Sequence, residues 1–342
     1  MSLRQSEPVA LPDRPLGRQM RSIAAHALLT TMMIVTELLV FIPAALFHCA
    51  LRNGRRAAWA TAAVAFGVAS LYAAAIPSTQ PDAVKLFWAG LLSIGLTVAL
   101  PALAALPLVE QGAKFGRLVA LLLLGSVAGM VATEALSRSV LSISPYTLQV
   151  AQSKVNNAQF VQFYRTNGAP PEALRMMERW ATYSTTLLPA VMLVLLTLIF
   201  VLSLLMLGRL KAWREHAARR GDGDALGVYL FRNFALPEWV LFAFVLGGVA
   251  PLASGLLHQV AANTLFIVAF LYFLQGLAIF RFVLLAMGAG FAGTMLGWLL
   301  LVFLTLTGVG PVLLALAGLF DPFFDFRNFK KRKDDSHESH SD

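Results

Sequence analysis

The chain has 342 residues, of which 58% are hydrophobic and 13% charged, and its mean hydropathy is +0.71. An ordinary soluble domain carries about 25% charged residues, and no soluble fold could cover this much apolar surface. The formal charge of +9 sits in short clusters beside apolar runs, which points to membrane topology rather than to nucleic acid.

In chain order, residues 1–23 are polar, contain Arg4, Arg14, Arg18 and Arg21, and precede an apolar stretch without a small-residue cleavage site. They read as a disordered basic cytoplasmic tail. Residues 24–137 read as N-terminal transmembrane helices, with apolar segments at 24–41, 43–51, 57–77, 84–108 and 116–137. Residues 138–182 are expected to be an extracytoplasmic amphipathic helical segment, with Leu148, Val155 and Phe160 set among Gln, Asn and Lys. Pro170-Pro171-Glu172 starts a further helix leading into the next span, and a surface cap is preferred to a substrate lid. Residues 183–323 read as C-terminal transmembrane helices at 183–208, 238–257, 264–286, 290–307 and 310–323, with a basic cytoplasmic loop at 209–236. Residues 324–342, with Lys330-Lys331-Arg332-Lys333, read as a charged disordered cytoplasmic tail.

Runs such as 183–208 and 291–307 carry no charge over the length a helix needs to cross a hydrocarbon core of roughly 30 Å. They lack the alternation of barrel strands, so the expected fold class is all-α, a polytopic transmembrane bundle of roughly 8–10 membrane segments. The basic clusters share one side only if 24–51 crosses and returns and 290–323 does the same. That scheme places both termini in the cytoplasm. Its weak point is 43–51, too short to span unaided; Pro43 and Pro311 interrupt the two segments concerned.

Small side chains recur every four residues at Ala57, Thr61, Ala65, Ala69 and Ala73, and as Gly125/Gly129 and Gly293/Gly297. Such faces let helices approach closely; internal packing is preferred to docking of a partner subunit.

Glu37, in the run MMIVTELLVFIP, is the clearest mid-membrane charge and therefore a candidate site. His48, Glu134, His258 and Arg281 lie nearer the ends of apolar runs, where interfacial anchoring is the simpler role. Asn263 is expected to begin a helix in which Tyr272 and Gln275 sit deep; Gln275 needs a partner, as a pocket wall or as a clasp between helices. Glu37, Asn263, Tyr272, Gln275 and Arg281 form the candidate ligand-binding set. Asp321, Asp325 and Arg327 form an interfacial motif, read as a capped helix end rather than an acid/base pair. HExxH, GxSxG, Walker A and dinucleotide signatures are absent, and Cys49 is the single cysteine, so no catalytic residue, metal set or cofactor is assigned and an enzyme is not expected.

The strings Phe-Arg-Asn-Phe-Ala-Leu-Pro-Glu-Trp-Val (231–240), Leu-Tyr-Phe-Leu-Gln-Gly-Leu-Ala-Ile (271–279) and Gly318-Leu-Phe-Asp321, with Pro43 and Leu51-Arg-Asn-Gly-Arg-Arg56, resemble the YybS-like family of uncharacterised bacterial multi-pass membrane proteins. The resemblance covers 24–328 and implies a protein of the bacterial cytoplasmic (inner) membrane, with a fold similar to the substrate-binding S components of energy-coupling-factor transporters. It implies an early helical pair returning to a Gly-basic turn. Its implied partners, beyond the lipid bilayer, are a transmembrane coupling subunit with ATPases and a small-molecule ligand. The chain departs from a minimal S component in having more apolar segments and no vitamin-specific motif. The alternative expectation is a non-transporting scaffold or assembly factor acting through 138–182 and 209–236.

Overall fold

The computed structural model describes residues 16–75, 81–220, 227–249, 252, 254–288, 290–324 and 326. The described residues are helical and contain no strand, as the hydropathy requires. Five stretches are long and apolar enough to cross a membrane: Arg55–Ala75, Val84–Glu110, Phe115–Leu141, Leu188–Arg209 and Gly255–Ala286. Phe291–Leu306 with Val309–Phe324 makes a sixth only if that pair, bent by 109°, counts as one span. The helices fall into two compact units.

The first unit holds the described residues up to Ala113, Leu121–Leu188 and Leu195–Tyr229. It opens with α1 (Leu16–Val35), α2 (Phe41–Asn53) and α3 (Arg55–Ala75). Residues 16–23, expected in a tail, are the first turns of α1. α2 runs back antiparallel to α1, as two cross-helix bonds require: His26 Nε2 to His48 Nδ1 at 3.0 Å, and Asn53 Nδ2 to Ser22 Oγ at 2.9 Å. With 13 residues α2 is about 20 Å long, short of a full crossing. Gly54, at φ +89°, reverses the chain into α3, a backbone geometry that favours glycine. The four-residue stripe of α3 is buried at all five positions, with Thr61 Oγ1 3.3 Å from Cys49 Sγ and the Ala65 carbonyl accepting from Thr31 Oγ1. The stripe is therefore used within the chain.

Next comes a span interrupted by its prolines: α4 (Pro81–Ile94), a π-helical turn (Gly95–Ala99), α5 (Leu100–Ala104) and α6 (Leu106–Glu110). Pro101 and Pro107 lack the N–H an α-helix would use, and the ladder widens before the first and breaks at Ala105 before the second. α7 (Phe115–Leu141) closes on this span through small residues. A Cβ on Gly129 would collide with the Leu96 carbonyl, and one on Gly125 would lie 3.1 Å from Pro101 Cβ. The hairpin of α8 (Pro145–Thr166) and α9 (Pro171–Thr186) follows, then α10 (Leu188–Arg209) and α11 (Lys211–Arg219). Helix thus occupies 145–186 where 138–182 was expected, because α7 continues to Leu141 and Ser144, whose Oγ accepts from Thr147 N–H, caps α8.

The second unit holds Lys114–Ala120, Pro189–Val194 and the described residues from Leu230 onward. Its helices are α12 (Val240–Gly247), α13 (Gly255–Ala286), α14 (Phe291–Leu306) and α15 (Val309–Phe324). Within the expected span 238–257, α12 covers eight residues and ends at the Gly247-Gly248 pair, α13 begins at Gly255, and Gly247 lies against the Leu265 backbone. α13 begins at Gly255, well before Asn263, so that residue lies inside the helix rather than at its start. α15 packs along α13 through two glycines: a Cβ on Gly276 would meet the Leu314 carbonyl, and one on Gly318 the Tyr272 carbonyl.

Candidate functional site

In the first unit, Glu37 does not lie within a transmembrane helix. It occupies the break between α1 and α2, at φ +57°, with its side chain exposed. The apolar run continues through it, but the helical backbone does not.

The other four members of the candidate set lie on α13 in the second unit, and they do not converge. Asn263 Oδ1 accepts from Ala190 N–H at 2.8 Å. Ala190 is in the first turn of α10, which has no side-chain cap of its own, so Asn263 supplies a partner for one of the donors a helix start leaves open. About two and a half turns on, Tyr272 faces the opposite direction, buried edge-on against Phe244 at a centroid distance of 5.9 Å. Gln275, 2% exposed, acts as a clasp: its Oε1 accepts from Leu236 N–H at 2.9 Å, and its Nε2 donates to Asp321 Oδ2 at 3.1 Å. Leu236 belongs to the irregular stretch between the 3-10 turn Phe231–Asn233 and α12, and irregular backbone within an apolar bundle must find such partners. Arg281 is exposed on α13.

Asp321 lies in the last turn of α15, buried at 9% exposure and bonded to Gln275 Nε2. Asp325 and Arg327 lie outside the described residues.

Three polar groupings in the first unit went unread in the sequence: the members of two are far apart in the chain, and those of the third meet only because α7 ends and turns between them. Arg55 holds Glu110 Oε2 through Nε at 2.7 Å and Nη2 at 2.6 Å. The Glu110 carbonyl, at the end of α6, accepts from Arg220 Nη1 at 2.7 Å and from His216 Nε2–H at 3.0 Å. An Arg guanidinium and a His ring N–H thereby satisfy an orphan acceptor at a helix C-terminus, and the guanidinium also meets its negative dipole. Trp213, fully buried in α11, stacks on His216, meets the tilted ring of Tyr229 at a centroid distance of 4.7 Å, and holds this part of the basic segment 209–236 in place. Burial pushes the Tyr229 phenol pKa well up, so it stays neutral. The second grouping is His26 with His48, already described. The third surrounds Glu134, whose Oε1 accepts from Ser144 Oγ and from Arg138 Nε at 2.6 Å, while Oε2 accepts from Tyr146 N–H at 3.1 Å. That carboxylate fixes the turn at Ser142 from α7 into α8, where φ is +57°.

The hairpin itself is thinly packed. Val161 is buried in α8 and no residue is buried in α9. Asn157 Nδ2 reaches the Ala181 carbonyl and Ser184 Oγ, both at 3.1 Å, and Arg165 pairs with Glu178 at 3.0 Å. Phe160, Phe163, Met176, Trp180 and Tyr183 remain exposed.

A described structure of helices without strands, with five stretches able to cross a bilayer and polar groups between them engaged in fastening helices, defines a polytopic helical membrane protein. Within that class, the chain belongs to the family described as "Predicted membrane protein (DUF2232)", which it matches over residues 22–322. No curated protein and no solved structure matches it.

Proposed function

We propose that the protein is a non-transporting membrane scaffold or assembly factor, acting through the α8–α9 hairpin and the basic segment 209–236. The observation that carries this reading is where the polar side chains are spent. Asn263 and Gln275 bond to neighbouring backbone, and Gln275 also binds Asp321, whereas a small-molecule site keeps a few convergent polar groups for its ligand. The hairpin, by contrast, presents a charged side, the Arg165–Glu178 pair with Arg175 and Arg179, whose side chains are exposed. The test is native mass spectrometry of the full chain from mild detergent, comparing wild type, Arg175→Glu/Arg179→Glu and Gln275→Leu. A protein partner lost from the hairpin variant and kept by Gln275→Leu is expected. A small molecule retained by wild type and lost from Gln275→Leu would overturn the reading.

A second reading is a small-molecule-binding subunit of a transporter in a bacterial inner membrane, coupled to a transmembrane subunit with ATPases. It is favoured by the antiparallel pair α1–α2 and its return at Gly54 beside Arg52, Arg55 and Arg56, the arrangement implied by the resemblance to YybS-like proteins and S components. Co-purification with ATPase subunits is the observation that would raise it above the first.

A further inference from the structure

The α8–α9 hairpin has two unlike sides. At about 100° per residue, Met176, Trp180 and Tyr183 form one stripe along α9, and Phe160 and Phe163 fall on the same side of α8. Trp180 is 66% exposed and Phe163 63%. The seam between the helices is marked by Asn157 and Val161 on α8 and by Ala181 on α9. On the side away from the aromatic rings lies the Arg165–Glu178 ion pair, with Lys154 and Arg175 turned the same way. Two helices that bury one residue between them have little reason to hold together in water, because short helices draw their stability from packing an apolar face.

Where the hairpin is tethered identifies what covers that face. Its two ends join α7, which extends to Leu141, and α10, which begins at Leu188, and both of these are long and apolar enough to cross the bilayer. The entry turn is pinned by Glu134, which holds Ser144 and the Tyr146 N–H. The hairpin therefore starts and finishes within a few residues of membrane-crossing helices. Trp, Tyr and Phe on one side with Lys and Arg on the other is the pattern of a helix lying in the membrane interface.

We propose that α8–α9 lies on the membrane surface, with Phe160, Phe163, Met176, Trp180 and Tyr183 in the boundary between headgroups and acyl chains. The Arg165–Glu178 side then faces water, where it is available to the protein partner proposed above. The lipid contact stands or falls independently of that partner.

The test uses the full chain with Cys49→Ala, one copy per nanodisc of phosphatidylethanolamine and phosphatidylglycerol, spin-labelled at Trp180→Cys or at Arg175→Cys. Accessibility to oxygen and to a water-soluble nickel chelate is read at each site. Position 180 is expected to favour oxygen, at a depth of about 5–10 Å, and position 175 to favour the chelate. Chelate access at both positions would overturn the proposal. The unsubstituted chain gives a second readout, amide exchange of residues 171–186 in discs holding one copy or two. Equal protection in both supports the lipid contact. Protection found only with two copies would assign the face to a second copy of the chain, and absence of protection in both would remove the docking altogether.

Discussion

Replacing Ser126 with alanine probes how a membrane span accommodates its prolines. Pro101 has no N–H, so the carbonyl four residues back, Thr97, receives no α-helical bond from it. Ser126, on α7, donates to that carbonyl at 2.7 Å, closer than the Leu122 carbonyl in its own helix at 3.0 Å. Ser126 and Thr97 are both buried, so water cannot substitute for the hydroxyl. Ser126→Ala should therefore leave a buried carbonyl unsatisfied, at a cost of about 1–3 kcal/mol. Pro101→Ala restores an N–H in the helix, and in that background Ser126→Ala should cost under about 0.5 kcal/mol, giving a coupling of roughly 1–2 kcal/mol. The measurement is a four-protein cycle by reversible unfolding of the full chain in mixed micelles with increasing dodecyl sulfate. An equal cost of Ser126→Ala in both backgrounds would show that the hydroxyl does not serve the proline's orphan, and the reasoning would fail.

Gly276→Ala or Gly318→Ala places a Cβ against a backbone carbonyl that cannot swing away, so each should destabilise the α13–α15 contact by about 1–3 kcal/mol in the same unfolding assay, whereas Gly90→Ala, with open space around it, should be near neutral. Ser144→Ala removes the cap of α8 and one of the donors to Glu134; it should cost about 0.5–2 kcal/mol and show as faster amide exchange confined to the first turns of α8. Cysteines placed singly at Arg56 and Arg214, both exposed, should react with an impermeant reagent only from the cytoplasmic side; reaction of either from outside would overturn the positive-inside arrangement.

The sequence by itself determined the class of fold and much of its close packing. A charge-free run of span length in lipid has to be helical, whatever its neighbours are, and small residues at a four-residue period have to share a helix face. That is why the stripe from Ala57 to Ala73 and the pair Gly125/Gly129 could be read before any contact was known, and both are packed within the chain. Pro43 and Pro311 marked the two short segments, which form α2 from Phe41 and α15 from Val309, whereas the span that breaks at Pro101 and Pro107 read as one segment, 84–108.

What only the tertiary structure decided was the use made of each polar side chain. Glu37 lies in an unbroken apolar run, yet the backbone leaves the helix at that residue, a local choice that hydropathy does not register. Gln275 was equally a pocket wall or a clasp, because the two differ only in what stands opposite, and its partners Leu236 and Asp321 are 39 and 46 residues away. Glu110 with Arg55, and Glu134 with Ser144, gain their roles in the same way, from where helices stop and turn. Burial of apolar surface is a property each segment carries with it, whereas a hydrogen bond needs two atoms brought within about 3 Å, and distant residues meet only when the bundle is assembled.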